Sequence, residues 1–536
     1  MRPTRTLTAI WLALVGLMMG WSPAWANTRI RPYVEVDQMA DWQLDNGGNV
    51  DAYTTVSAGF DATVRSRDIE GQASYQYQRY IPWSKNVGSS DVHDGLARFR
   101  GDLLHNQLTI EGGAIASRTR ADNRGAGLGL FGGNPNTSQL YGAYAGPHFR
   151  TKVGKLEYNA TYEFGYIGVD SAAVTTLPAG QPVLDRYGHS TSHNASMSLG
   201  MATGDLPFGW TVTTGWIHEN VSQLSQRYNG KYARLDLVLP VGPTFALLGG
   251  IGYEDLAISQ RQPLVDVTGN PIINSNGHYI IDPTLPRANA YATDGLTWDV
   301  GFTWKPSRRT SLEVVGGHRY GGRAITGTFR HEVTKKVSFE AGYYDAIDSF
   351  GRSITRQLAS LPTSFGTERN PFTGTFGNCV FGNQPGSGGC FGNAMQSATT
   401  ANFRSHGAYG VLSGRTGPWT FGAGVDYVRQ KFIAPRATTT FFNINGTNNR
   451  ILTTELEASR SLSSNSTMSA GLQANWYKSG LANSPNVREV SLSGTYRRSF
   501  TTHVIGYGSL GLYNDRINGQ GSSTHAYAGL GLRYQF

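Results

Sequence analysis

Long apolar runs are scarce in this chain. The clearest one, Leu7–Trp21, lies at the start and spans fifteen residues, short for a helix that crosses a bilayer. With no second run of that kind, a bundle of transmembrane helices is excluded. Charge is sparse as well, at 15%. The 46 Lys and Arg against 37 Asp and Glu leave a net +9, scattered singly and in pairs, without the basic blocks of a nucleic-acid binder. Only two cysteines occur, Cys379 and Cys390, close together in a segment rich in Gly and Asn. In an oxidising compartment such a pair is expected to form a disulfide closing a short surface loop; a metal pair is the rival, with no histidine between them to support it.

Chemistry-bearing motifs are missing in the same way. There is no Gly-x-Ser-x-Gly elbow and no Ser/His/Asp grouping. Gly125 to Gly133 is glycine-rich but lacks the Gly-Lys-Ser/Thr ending of a phosphate loop, and His189 and His193 have metal-ligand spacing only on a helix. No catalytic residue, no metal and no cofactor is expected, and the chain does not read as an enzyme.

What is present is alternation. Val56, Ala58, Phe60, Ala62 and Val64 interleave with Thr55, Ser57, Gly59, Asp61 and Thr63, and Leu296, Trp298, Val300, Phe302 and Trp304 interleave with Thr297, Asp299, Gly301 and Thr303. Successive strand side chains point to opposite faces, so each segment has one apolar and one polar face. Segments of about a dozen residues repeat this way along the chain, the span of a tilted strand crossing a bilayer. The mean hydropathy of −0.33 does not argue against it, since only alternate residues would meet lipid. The 68 glycines and 27 tyrosines suit tight turns and a membrane–water girdle. The last strand alternates to the terminus, and its Tyr534 and Phe536 look like the C-terminal signal read by barrel-insertion machinery. The fold expected is all-β: a transmembrane antiparallel up-and-down outer-membrane β-barrel of about 22 strands. Arg2, Arg5, the apolar run and the small residues Ala24 and Ala26 read as a secretory signal peptide over 1–26, cleaved after Ala26, with the barrel domain at 27–536. An uncleaved anchor helix is the alternative.

The connections test the barrel separately. Short turns, such as Pro306-Ser307-Arg308, Lys335-Lys336, Thr416-Gly417 and the region of His105, fall after even strands. Long segments near 122–136, 171–190, 261–290, 351–401 and 433–448 fall after odd ones, as short periplasmic turns and long outer loops require. Only a couple of residues separate Ala26 from the first strand, so no N-terminal plug is expected, although barrels of this size in transporter families carry one. The segments 261–290 and 351–401 are then the candidates to fold inward, the second stiffened by the cysteine pair.

The polar parity places Tyr33, Glu35, Asp37, Asp61, Arg98, Arg100, Glu157, Glu163, Arg234, Asp236, Asp299, Glu340, Asp426, Glu455, Glu457, Glu489 and Arg533 toward the lumen. A wet, mixed-charge wall suits a neutral or mildly charged hydrophilic solute, although any barrel interior needs polar side chains. Cations at the turn ends, among them Arg65, Lys152, Arg308 and Lys336, suit anionic headgroups, acidic periplasmic partners or plain solvation.

The run Arg31-Pro32-Tyr33-Val34-Glu35, then Asp51, Tyr53-Thr54-Thr55, Ala58-Gly59-Phe60-Asp61 and Glu70-Gly71-Gln72-Ala73-Ser74-Tyr75 with Tyr77 and Arg79, resembles the opening hairpins of the PEP-CTERM system-associated outer-membrane proteins. That family is similar to exopolysaccharide-export barrels, and its members sometimes carry a preprotein-translocase label that no feature of this chain supports. Beyond the opening region only length and barrel pattern agree. The resemblance implies export of exopolysaccharide or other surface material and supplies no site residues. The reading is therefore a channel in a Gram-negative outer membrane, reached by Sec-type export, that passes hydrophilic material. Its partners would be outer-membrane lipid and lipopolysaccharide, the insertion machinery and periplasmic polysaccharide-export components, with no nucleic acid. A general diffusion porin and a structural or adhesive barrel acting through its loops are the alternatives.

Overall fold

Alternation of apolar and polar residues drives the chain into strands that exchange all their backbone hydrogen bonds with two neighbours, which is how a sheet can lie in hydrocarbon. The computed structural model describes residues 27–45, 48–84, 89–104, 107–125, 136–170, 183–204, 206–370, 373–382, 388–391, 398–436 and 444–536. The signal peptide expected over 1–26, His105 and most of Gly125 to Gly133 lie outside them.

The strands are β1 (Asn27–Gln43), β2 (Val50–Arg65), β3 (Ile69–Pro82), β4 (Ser90–Leu103), β5 (Leu108–Arg120), β6 (Thr137–Val153), β7 (Leu156–Asp170) and β8 (His189–Met201). Next come β9 (Gly209–Val221), β10 (Arg227–Pro240), β11 (Phe245–Gln260), β12 (Ala288–Ser307), β13 (Thr310–Arg319), β14 (Gly322–Thr334) and β15 (Val337–Asp348). A helix, α1 (Phe350–Ser360), and a small hairpin, β16 (Cys379–Phe381) with β17 (Gly388–Cys390), follow. The last strands are β18 (Asn402–Thr416), β19 (Trp419–Ile433), β20 (Asn448–Ser463), β21 (Ser466–Lys478), β22 (Val487–Ser499), β23 (Val504–Ile517) and β24 (Gly521–Gln535).

Leaving out β16 and β17, these form one 22-stranded sheet in which each strand pairs antiparallel with its chain neighbours, β15 passing directly to β18. The ring closes where β1 meets β24, from Tyr33 opposite Gln535 to Gln43 opposite His525. A closed barrel has no edge to leave unpaired. The pleat sets the faces: on β1, Val34 and Val36 are 44% and 53% exposed, whereas Glu35 and Asp37 between them are 5% and 1% exposed. Leu530, Leu532 and Tyr534 on β24 and Leu296, Trp298 and Val300 on β12 continue the apolar outer band. Such a cylinder is built to stand in an outer membrane, with its tight turns periplasmic and its long loops outside.

Candidate functional site

The lumen is where this barrel departs from a simple polar pore. After β15 the chain turns inward. Ser349 caps α1: its hydroxyl accepts from the Arg352 amide at 3.1 Å and donates to the Glu219 carboxylate at 2.6 Å. Arg352 also pairs with Glu219 at 3.1 Å and lies 3.4 Å over the Tyr228 ring, while Arg356 pairs with Asp348. These bonds tie the first turn to β9, β10 and the end of β15. The helix itself buries Phe350, Ile354 and Leu358, spaced by one turn each, against Leu96, Ile115, Leu140 and Ile167. Burial of such side chains stabilises by roughly 1.5–3 kcal/mol each. At the far end Arg98 Nε donates to the Leu361 carbonyl at 2.9 Å and Nη2 to Ala359 at 3.0 Å. A guanidinium there satisfies carbonyls that a helix end leaves open and complements its dipole.

The segment then crosses toward the opposite wall. The Gln72 side chain clamps the Phe365 backbone, donating at 2.9 Å and accepting at 3.0 Å. Arg369 pairs with Asp94 at 2.7 Å, and the Phe376 amide donates to the same carboxylate at 3.2 Å. The Cys379 amide donates to Glu455 at 3.0 Å. Cys379 and Cys390 are disulfide-bonded across the β16–β17 hairpin. The expected bond is therefore formed, but not in a surface loop: Cys379 is buried, and the pair rests on β19. A Cβ added at Gly424 would stand 2.6 Å from Cys379 Sγ and 2.7 Å from Cys390 Sγ, so only glycine lets the hairpin approach this closely. A Gly/Asn-rich stretch reads as exposed when its landing surface, a glycine two strands away, is not recognised.

Of the two candidates to fold inward, 261–290 stays at the loop end. It forms a short ladder, pairing Pro263 with Ile281, Val265 with Pro271 and Ile273 with Tyr279. It docks on the segment before β8: Asp185 accepts from the Tyr279 amide at 3.0 Å, and Tyr279 Oη donates to the Val183 carbonyl at 2.6 Å.

The inserted segment divides the lumen. On the β4–β9 side it packs dry. Between residues 366–370 and 373–382 and the wall from β18 round to β3, with Ser117 and Arg118 of β5, lies a cavity of about 710 Å³. Glu35, Asp37, Asp61, Glu455, Glu457, Glu489 and Arg533 all line it. Arg533 pairs with Glu35 at 2.5 Å and stacks 4.0 Å over Tyr33; Tyr507 donates to Asp37. Glu489 holds Arg120, Tyr513 at 3.1 Å and Asn475 at 3.2 Å. The remaining residues singled out from the sequence stand on the same parity but apart from this cavity. Arg234 joins Asp236 and Asp299, the latter at 2.9 Å. Glu340 accepts from Arg330 at 2.7 Å and Tyr409 at 3.1 Å, and Asp426 accepts from Tyr344 at 3.4 Å. Glu157 pairs with Lys152 and, at 3.5 Å, with Arg150; Arg100 pairs with Glu111 at 3.4 Å. Arg98 caps the helix, and Glu163 faces the lumen two residues from Gly165, which abuts Thr355 of α1.

Sequence reasoning missed α1 and its dock. The signal was present: Leu96, Ile115, Leu140 and Ile167 break the polar parity of four consecutive strands at one level, and apolar side chains facing a lumen need something apolar to cover them.

No protein-family model and no curated protein matches the chain. Solved structures do. One is the FrpB iron transporter from Neisseria meningitidis, 10% identical over 94% of this chain and 82% of that one, with a TM-score of 0.45. The siderophore receptor PiuA from Acinetobacter baumannii is 9% identical over 94% and 82%, with a TM-score of 0.43. The ferric-catecholate import receptor Fiu from E. coli K12 is 10% identical over 94% and 81%, also at 0.43. The barrel assignment here rests on the strand ring itself.

Proposed function

We propose that this protein is an outer-membrane conduit for hydrophilic material whose lumen is governed by its own inserted segment, residues 349–401. One observation carries the reading: the segment is fastened to an apolar wall while a cleft of about 710 Å³ lined by charged and polar side chains remains beside it. A packed dock gives a defined closed arrangement, and a polar cleft lowers the cost of desolvating a polar solute. The inserted segment counts against an unobstructed diffusion porin. The resemblance of the opening hairpins points to exopolysaccharide or other surface material as cargo. Periplasmic export components would then be the natural partners, with Sec-type export and the insertion machinery bringing the chain to its membrane.

Because β15 and β18 are ring neighbours, residues 350–398 can be exchanged for a short Gly/Ser linker without cutting the sheet. In planar bilayers the exchanged barrel is expected to carry a large steady current where the full chain carries little. Equal currents from two correctly folded barrels overturn the conduit reading. Unchanged yield of secreted polysaccharide after gene deletion overturns the cargo.

A further inference from the structure

One arc of the outward face carries cations without acids. On β19 the outward parity runs Val425, Tyr427, Arg429, Lys431. The first two, each 42% exposed, belong to the apolar band, and the last two are exposed beyond it, toward the long loops. In register beside Arg429 stand His406 on β18 and Arg450 on β20, and beside Arg450 stands Lys478 on β21. Farther round, Arg488 on β22 faces Arg516 on β23. Among the described residues no acid pairs with Arg429, Lys431, Arg450 or Lys478. The acids of these strands, Asp426, Glu455, Glu457, Glu489 and Asp515, all stand on the inward parity. Asp345 on β15, in register with His406, is taken up by Arg404 at 2.7 Å and by His406 at 3.4 Å. The arc is local: on the far side of the ring Lys231 stands in register with Asp255, and Asp255 with Asp294.

Like charges directly opposite one another across strands are destabilising. Arg429, Arg450 and Lys478 make such a row over three strands, and an anion laid along it removes the repulsion. At its β19 end the row opens into a cleft of about 870 Å³. The cleft exists because β13 and β14 turn back at Arg319 and Gly322 while β12 runs on to Ala288, which leaves a notch in the outer end of the wall. Arg404, His406, Arg429, Lys431 and Arg436 line this cleft, and no Asp or Glu does. Asn289, Asn445 and Asn448 add amide groups. Guanidinium forks match phosphate oxygens in geometry as well as charge. The cations follow the exposed Tyr427 and, on β21, Trp476 on the same face, so they stand where hydrocarbon gives way to headgroups. Anions kept at that depth by an apolar anchor are lipid phosphates. We infer that this arc and its cleft bind an outer-leaflet lipid with a phosphorylated headgroup, its acyl chains along Val425, Tyr427 and Trp476 and its phosphates against Arg429, Lys431, Arg450 and Lys478. The site lies outside the lumen and stands whether or not material passes through the barrel.

The probes are diphosphoryl lipid A, the same lipid with both phosphates removed, and inorganic phosphate. Each is titrated against the full chain in non-ionic detergent and read by native mass spectrometry. Diphosphoryl lipid A is expected to bind about tenfold or more tightly than its dephosphorylated form and to weaken with added salt. Arg450→Gln and Lys478→Gln, at exposed positions, are each expected to weaken it about fivefold. Lys231→Gln on the far arc should leave it unchanged. Because Arg450→Gln relieves repulsion, it should melt no lower than the unaltered chain in lipid-free detergent, yet lose part of the rise in melting temperature that the lipid gives. An arginine with a purely structural role would lower the first and spare the second. Should a variant not fold, the phosphate and salt dependence of the unaltered chain decides. Equal affinity for the two lipids, unchanged affinity in the folded variants, an equal loss in Lys231→Gln, or displacement of the lipid by an equal concentration of inorganic phosphate overturns the inference.

Discussion

The two walls of the lumen are made of the same kind of strand and do opposite things. From β4 to β7 the inward positions at mid-height are Leu96, Ile115, Leu140 and Ile167, and the inserted segment lies against them without a gap that a polar group must fill. From β20 round to β2 the inward positions include Glu455, Glu489, Asp37 and Asp61; the segment meets Glu455 through the Cys379 amide and leaves a cavity in front of the others. Backbone pairing is indifferent to which side chains face inward. The difference lies in solvation alone: apolar positions expel water and fix a partner, while charged positions hold water and keep a partner away. A single inserted segment thus has one side packed on an apolar patch and one side that meets its wall at the β16–β17 hairpin beside a cavity.

Breaking the anchored side has the largest expected effect. Ile354 is fully buried in the middle of the dock. Ile354→Asp loses its transfer energy and buries a charge with no partner, for which a destabilisation of about 3–5 kcal/mol is the right order. Hydrogen exchange over α1 should rise by orders of magnitude while the ring strands stay protected. The steady current in bilayers should approach that of the linker-exchanged barrel. Retained protection of α1 would mean that the polar ties to Glu219 and Arg98 hold the helix by themselves.

The other side should respond less. In Gly424→Val the new side chain meets the Cys379–Cys390 disulfide and lifts the hairpin from β19. Overpacking of this kind costs about 1–3 kcal/mol. The helix should keep its exchange protection while the current changes modestly, because only the hairpin moves. A loss of α1 protection as large as that in Ile354→Asp would show that the two ends of the segment act as one unit and would dissolve the contrast between the walls.

The barrel was legible because every strand repeats one rule, and errors at its ends do not propagate: the ring contains twenty-two strands, and β12 merely starts at Ala288, three residues before the sequence suggests. The inserted segment obeys no repeat. The apolar stripe of α1 is only Phe350, Ile354 and Leu358, short enough to hide among Arg352, Arg356 and Gln357, and a helix of eleven residues draws most of its stability from its dock. Its landing site is written on four other strands, so recognising it requires reading Leu96, Ile115, Leu140 and Ile167 together as one patch. The cysteine pair could be joined from the sequence, but its position depended on Gly424, which alternation alone reads as one more inward glycine.

The smallest expected effect is at the outer rim of the anchored side, where the 261–290 ladder covers the segment leading into β8. Burial pushes the Asp185 carboxyl up to about 7 from 3.8, and burial lowers the His278 ring, whose Nδ1 is 3.1 Å from the Arg186 carbonyl. The two act in opposite senses. A carboxyl whose pKa is raised on docking favours the docked ladder most below 3.8, and that contribution is lost as pH rises to about 7. An imidazole whose pKa is lowered favours docking above 6.5 and loses that contribution as pH falls. The carboxyl has the wider window, so exchange at the Tyr279 amide, corrected for its intrinsic rate, should quicken as pH climbs from about 4 to 7. Asp185→Asn keeps an acceptor for that amide and removes the titration, leaving His278 alone. In that variant the dependence should reverse, with exchange quickening as pH drops below 6.5; the same upward trend in both proteins would place the titrating group elsewhere and detach the rim from the anchored wall.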